Sequence, residues 1–199
     1  MGIRMDHWRY YGTRTLQVCP YMPGTAVYRD GVLPDLYGKL KAEGTLLDTF
    51  CGDQMNLDSF VSFFDRLKTM QVLCRVTEAD KLVPVGFSWV MNAKGVDGAG
   101  SLECGEAFFD GAAKTPDARK LARLALAYAF HCLRTDVLFG RQVASNIAAR
   151  NFSARLGFRE VALIPHMHFV NGELVDGRVM MLKKADFMEP FMKWKAAQE

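Results

Sequence analysis

The sequence lacks the closely spaced cysteines and histidines that hold metal ions or disulfide frameworks. It has five cysteines, an odd number, spread along the chain with no Cys-x-x-Cys pair, and only four histidines. Structural zinc sites and small secreted domains need such ligands at short, regular spacing. We therefore expect reduced thiols in a cytoplasmic protein, and we expect no metal site.

Long hydrophobic runs and targeting signals are also missing. The longest apolar run, residues 124–133, is interrupted by His131 and falls well short of the roughly 20 residues that cross a bilayer. Residues 1–6 lack the apolar core of a secretory signal, and Asp6 stands where a myristoylation signal has Ser or Thr. The sequence thus predicts no membrane partner.

Low-complexity tracts and internal repeats are absent as well, and the composition is that of one globular domain. Half of the 199 residues are hydrophobic and 24% are charged, which is ordinary for a chain that buries a sizeable core. The net charge of +3 is too small to predict nucleic-acid binding by itself. Residues 112–156, however, contain eight basic and only two acidic residues. Such a segment suits a small polyanion, although a solvated helix surface explains it equally well.

Hydrophobic periodicity predicts strands that alternate with helices. Strands are predicted near 15–19 and 26–29, and at 72–76, 83–91, 101–109, 137–143, 158–163 and 178–182. Helices are predicted at 34–42, 56–70, 115–133 and 146–157, with a short interrupted helix at 187–197. This order predicts an α/β layer with a mixed sheet.

Residues 146–158 form the best-marked helix and strand junction of the chain. Asn146 or Ser145 can cap the free amides at the helix start, and Gly157 stands where a left-handed stop is expected. Helical spacing predicts an apolar stripe on one side and a polar side that carries function. The stripe contains Ala148, Ala149, Phe152 and Leu156, and the polar side contains Asn146, Arg150 and Ser153.

The same segment resembles the second cofactor motif of the GNAT superfamily of N-acetyltransferases. The residues that carry the resemblance are Asn146, Ala149, Leu156, Gly157 and Phe158. It extends well over residues 70–185 and loosely over the N-terminal third. It implies a GNAT-like mixed, mostly antiparallel sheet of about six to seven strands, flanked by helices on both faces. A single domain would then comprise acceptor-side helices and the first strand (1–69), the sheet and acetyl-CoA-binding core (70–185) and a C-terminal tail (186–199).

The resemblance also implies acetyl-CoA as co-substrate and suggests where it binds. The pyrophosphate is expected at the helix that starts at Thr115, and the pantetheine arm beside the backbone of the preceding strand, with Asn146 and Arg150 on the other side. The family's usual glycine-rich phosphate loop is missing, and 111–114 is the nearest small-residue stretch. The residues expected to contact the co-substrate are Ala107, Phe108, Phe109, Lys114, Thr115, Arg119, Lys120, Asn146 and Arg150.

Three residues are candidates for proton transfer. GNAT enzymes often use a carboxylate on the fourth strand as base, commonly through water, and Glu103 fits that position best, with Glu106 as the alternative. The two lie three residues apart on a predicted strand, so they face opposite sides, and the sequence does not decide which one faces the site. The family's proton donor is commonly a tyrosine seven residues after the Asn, where this chain has Ser153.

The resemblance leads to one main hypothesis and two alternatives. The main one is an acetyl-CoA-dependent N-acyltransferase that acetylates a primary amine by direct attack in a ternary complex. The alternatives are a GNAT-like module that binds acyl-CoA without catalysis and a nucleic-acid-binding α/β domain, the latter disfavoured. The expected partner is a small-molecule or peptide amine, and a homodimer is possible. The identity of the amine is left open.

Overall fold

The computed structural model describes residues 12–21, 28–50, 55–92, 101–109 and 111–197. The strands are β1 (Leu16–Tyr21), β2 (Thr69–Val76), β3 (Leu82–Asn92), β4 (Ser101–Phe108), β5 (Val137–Val143), β6 (Arg159–Val170) and β7 (Glu173–Lys183). The helices are α1 (Leu33–Ala42), α2 (Leu46–Thr49), α3 (Leu57–Asp65), α4 (Pro116–Cys132), α5 (Ile147–Leu156) and α6 (Lys184–Ala196). A π-helical turn, Tyr28–Val32, precedes α1, and a 3₁₀ turn, Ala112–Lys114, precedes α4.

The strands form one seven-stranded sheet in the order β1-β2-β3-β4-β5-β7-β6. Every neighbouring pair is antiparallel except β4 and β5, which run parallel. A parallel pair needs a long crossover, and α4 supplies it. The predicted mixed, mostly antiparallel sheet of six to seven strands is therefore confirmed.

Helices cover both faces of the sheet and produce two apolar cores. On one face, which we call the α4 side, α4 and α6 pack with residues such as Leu121, Leu138 and Phe187. On the other, the α1 side, α1 and α3 pack with residues such as Leu36 and Phe64. In β3 every second residue from Val83 to Met91 is hydrophobic, a strict alternation that predicts one buried face. That prediction is wrong. Residues 85–90 are all buried, because β3 is a central strand covered on both sides.

The first helices begin as predicted, but α3 ends early. Asn56 caps α3, since its side chain accepts a hydrogen bond from the Ser59 amide at 2.8 Å. The predicted helix to Met70 is wrong beyond Asp65, because Thr69 and Met70 already pair with β3 and are buried. Of the strand predicted at 26–29, residues 26 and 27 lie outside the described residues. The remainder belongs to the π-helical turn.

The C-terminal third is more regular than predicted. β6 and β7 are long strands joined by Asn171 and Gly172, whose positive φ angles of 51° and 89° suit a two-residue hairpin turn. α6 continues through Pro190, where an interruption had been expected. Phe187 and Phe191, on either side of that proline, are buried in the α4-side core. Their packing holds the helix together despite the missing N–H, so residues 186–197 form part of the core layer.

Candidate functional site

β4 and β5 pair over a short stretch and then separate. Ser101, Leu102 and Glu103 pair with residues 137–139, and no later residue of β4 has a partner in β5. From there β4 continues beside β3 to Phe108, and β5 continues beside β7. We call the gap between residues 104–108 of β4 and residues 140–143 of β5 the fork.

The fork leaves peptide groups of β4 without a strand partner. The Phe109 amide donates to the Val85 carbonyl in β3 at 2.8 Å. Because peptide groups alternate in direction along a strand, those of Cys104, Glu106 and Phe108 point away from β3, toward β5. The Cys104 carbonyl faces Gly140 across the sheet. The fork therefore presents hydrogen-bonding groups to an extended ligand.

α5 borders the fork and has the predicted ends. The Asn146 side chain accepts from the Ala149 amide at 2.9 Å, and Gly157 stops the helix with φ of 101°. The ring of Phe152 lies 5.8 Å from that of Phe108, centroid to centroid, so α5 contacts the end of β4. The predicted apolar stripe is narrower than expected, since Ala148 is exposed.

The start of α4 is a second potential binding element. Thr115 followed by Pro116 is typical of a capped helix start and predicts that the Thr115 hydroxyl caps α4. The hydroxyl instead donates to the Ala112 carbonyl at 2.7 Å. No described side chain caps α4, so its first amides keep their hydrogen-bonding capacity at the positive end of the helix dipole. Lys114 and Arg119 are exposed there, and Lys120 is half-buried.

Glu103 lies where the two strands part. Its carboxylate forms an ion pair with Arg141 of β5, Nε to Oε2, at 3.2 Å. It shares the α1 side of β4 with Gly105, which lies against Trp89, a residue of the α1-side core. The ion pair therefore joins β4 to β5 beside the closed end of the fork.

Glu106 occupies the opposite face, which the sequence could not decide. It lines a cavity of about 10 Å³ between the sheet and α4, together with Gln71, Ser88 and Ala129. Removal from water raises the pKa of the Glu106 carboxyl to about 8. The Glu106 side chain is half-buried and lines the cavity beneath α4. Its raised pKa favours the protonated form at neutral pH, so it is a weaker candidate than Glu103 for a base.

Ser153 makes a hydrogen bond that the sequence analysis missed. The amide nitrogen of Gln142, in β5, donates to the Ser153 hydroxyl oxygen at 2.8 Å. The sequence does contain a signal for this bond. Leu138, Gly140 and Gln142 lie on one face of the predicted strand, and a polar Gln142 on an inward face indicates a buried hydrogen-bond partner. Arg141 on the opposite face was missed in the same way.

The remaining predicted residues divide into two groups. Arg150 is exposed and pairs with Glu160 at 3.7 Å, and Glu160 also pairs with Arg178. Ala107 and Phe109 are buried in the α1-side core. The structure thus brings Glu103, Phe108, Asn146 and Ser153 to the edges of the fork. It locates Lys114, Arg119 and Lys120 at the start of α4. The backbone of Glu106 belongs to the fork, but its side chain lines the cavity beneath α4.

No protein-family model matches this chain, and no curated protein does. Solved structures do. A GCN5-related N-acetyltransferase from Brucella melitensis is 16% identical with a TM-score of 0.66, over 94% of this chain and 83% of that one. A spermidine N-acetyltransferase from Vibrio cholerae, in complex with CoA and spermine, is 15% identical with a TM-score of 0.64, over 86% of this chain and 96% of that one. The fold is that of the GNAT superfamily.

Two further observations concern what else this GNAT fold could hold. Among the described residues, no three His, Cys, Asp or Glu side chains come close enough to bind a metal ion. None of the described helices combines the length and the apolar character needed to traverse a bilayer.

Proposed function

We propose that the chain is an acetyl-CoA-dependent N-acyltransferase that transfers an acetyl group to a primary amine by direct attack in a ternary complex. The observation that carries the proposal is the fork between β4 and β5 beyond Glu103. The fork offers unpaired peptide groups of β4, and the starts of α4 and α5 provide two further binding elements. The likeness to GNAT structures supports the fold.

The proposed site for the phosphates of the co-substrate is the start of α4. Uncapped amides and the helix dipole favour an anion there, and Lys114, Arg119 and Lys120 add positive charge. Thr115 contributes by closing the preceding turn through its bond to Ala112. The +6 excess expected of residues 112–156 is partly neutralised elsewhere, because Arg141 and Arg150 are in ion pairs.

The proposed site for the pantetheine arm is the fork itself. The amides of the pantetheine arm would form hydrogen bonds with the peptide groups of Glu106 and Phe108 that point toward β5. Ala107 and Phe109 anchor this stretch of β4 by burying their side chains in the α1-side core. Asn146 uses its carbonyl oxygen for the cap, so its NH₂ group remains to donate to a ligand.

The proposed base is Glu103, acting on the amine through a water molecule. The amine nitrogen attacks the acyl carbon and loses a proton to Glu103, a C–N bond forms, and the C–S bond breaks. Ser153 lies on the other side of the sheet from Glu103 and would donate a hydrogen bond to the departing sulfur. Glu106 is set aside, because its proton is retained at neutral pH and it faces the α4-side cavity.

The acceptor is proposed to be a small amine, and a polyamine is the first to test. The Vibrio cholerae neighbour is described in complex with spermine, which supports a polyamine as the starting point.

A cytoplasmic location remains part of the proposal. It is supported by the described cysteines Cys19, Cys74, Cys104 and Cys132, which are free thiols.

Thermal unfolding with and without saturating acetyl-CoA tests the binding site. A ligand at 100 times its Kd stabilises the native state by about 2.7 kcal/mol, so the wild type should melt at a clearly higher temperature. Asn146→Ala should show a smaller ligand-induced shift. The matched control is Asn56→Ala, which removes the equivalent cap of α3, away from the fork, and should keep the full shift. No shift in the wild type refutes the proposed site.

Release of CoA in the presence of amines then tests catalysis. Glu103→Gln should reduce kcat with little change in the Kd of acetyl-CoA, whereas Glu106→Gln should leave kcat near that of the wild type. The second candidate function is a non-catalytic acyl-CoA-binding module, favoured by Ser153, since a serine hydroxyl is a weaker acid than the phenol common in the family. A thermal shift without CoA release from any amine supports that candidate.

A further inference from the structure

Gln142 is a buried polar residue whose side chain bonds to a proposed catalytic one. It lies in β5 on the α4 side and is only 8% exposed. Its Nε2 donates to the Ser153 hydroxyl oxygen at 2.8 Å. Burying an amide costs free energy unless it is hydrogen-bonded, so this contact fixes how the two side chains face each other.

The orientation of the amide follows from what surrounds it. Gln142 Oε1 is buried and has no hydrogen-bond partner among the described residues. If the amide were reversed, the NH₂ group would occupy that position and would be left without an acceptor. Buried donors without acceptors are rarer in proteins than under-satisfied carbonyl oxygens. The orientation that donates to Ser153 is therefore the favoured one.

This contact determines the direction of the Ser153 proton. Since the hydroxyl oxygen accepts from Gln142, the hydrogen must point elsewhere, and among the described residues none accepts it. We propose that Gln142 is a positioning residue that keeps the Ser153 hydroxyl proton directed at the departing sulfur of the co-substrate. The proposal rests on the proposed acyl transfer. In that step Ser153 donates to the sulfur as the C–S bond breaks, and any proton it passes on is replaced from solvent water.

A double-mutant cycle separates positioning from structural support. Gln142→Leu removes the amide donor at similar size and should lower kcat about tenfold, the worth of one hydrogen bond. Ser153→Ala should lower kcat at least as much. Adding Gln142→Leu to Ser153→Ala should then cost nothing further, and the Kd of acetyl-CoA should stay within twofold in all variants. Losses that multiply in the double variant would overturn the proposal.

Gln142→Glu provides a second readout that a structural role would not give. A carboxylate only accepts, so it should draw the Ser153 proton inward and reduce kcat at high pH. As pH falls and the carboxyl is protonated, it can donate again and kcat should recover relative to the wild type. Gln142→Leu should lack this pH dependence. If thermal unfolding shows that the Gln142→Leu variant does not fold, Gln142→Met takes its place.

The outcomes distinguish this inference from the proposed function. A wild type that releases CoA, together with a fully active Ser153→Ala, refutes the inference and leaves the acyl transfer intact. The same holds if Gln142→Glu shows the pH profile of the wild type. A wild type that releases no CoA with any amine refutes the proposed catalysis, and the inference with it.

Discussion

Glu106→Gln should make the protein more stable, and increasingly so as pH rises. The wild-type carboxyl lines the cavity beneath α4 beside Gln71 and Ser88, with Ala125 and Ala129 above it. Its pKa is raised to about 8 from an ordinary 4.5, because burial penalises the charged form. Glutamine has nearly the same shape and cannot ionise, so the substitution removes that penalty.

The magnitude follows from proton linkage. Below pH 4.5 both the folded and the unfolded chain hold the proton, and the two proteins should differ little. Between pH 4.5 and 8 the unfolded chain releases its proton first, so the stability of the wild type falls with pH. At about 1.4 kcal/mol per pKa unit, the difference should reach about 3 kcal/mol at pH 7 and about 5 kcal/mol above pH 8, as an upper value.

Urea unfolding of both proteins at pH 5, 7 and 9 measures this difference directly. The matched control is Glu78→Gln, which changes an exposed carboxylate in the turn between β2 and β3 and should shift stability by less than about 0.5 kcal/mol at each pH. A difference between Glu106→Gln and wild type that does not grow from pH 5 to pH 9 would refute the raised pKa of the half-buried Glu106 carboxyl.

Two further predictions concern glycines. Gly105→Ala should destabilise the protein by about 1–3 kcal/mol by overpacking. The added methyl group would overlap the indole of Trp89, which is stacked on Phe50. An unchanged urea midpoint would contradict this close approach of Gly105 to Trp89. Gly157→Ala should lower the free energy of unfolding by about 1–2 kcal/mol, because φ is 101° and the added methyl group would lie 3.3 Å from Leu182. The control is Gly38→Ala. Gly38 is a helical glycine with nothing within 4 Å of the added methyl group, so this variant should not be destabilised in the same urea measurement.

Features set by neighbouring residues could be predicted from the sequence. β5 has the predicted bounds, and the cap at Asn146 and the stop at Gly157 form as expected. Caps depend on hydrogen bonds across three or four residues, so local sequence contains the needed information. The GNAT fold could be anticipated from the motif that ends in Phe158.

Features set by distant residues could not be predicted. Strand alternation places Glu103 and Glu106 on opposite faces, but only the packing of α4 over the sheet decides which carboxyl is dehydrated. Helical spacing continues past Asp65, and only pairing with β3 turns Thr69 and Met70 into a strand. Thr115 occupies the position of a helix cap, yet its hydroxyl donates to the Ala112 carbonyl and does not cap α4.

The separation of β4 from β5 gives the sheet a strand edge in its interior. Edges usually lie at the outside, where they can recruit strands of other chains and cause aggregation. Here the inner edge is flanked by β5 and by α5, whose Phe152 contacts Phe108. A bulky strand with side chains on both faces would meet these neighbours, whereas a slender unbranched chain with amide groups would not. If the fork binds the pantetheine arm as proposed, the backbone groups that would be a hazard at the rim would instead favour such a slender chain over a strand.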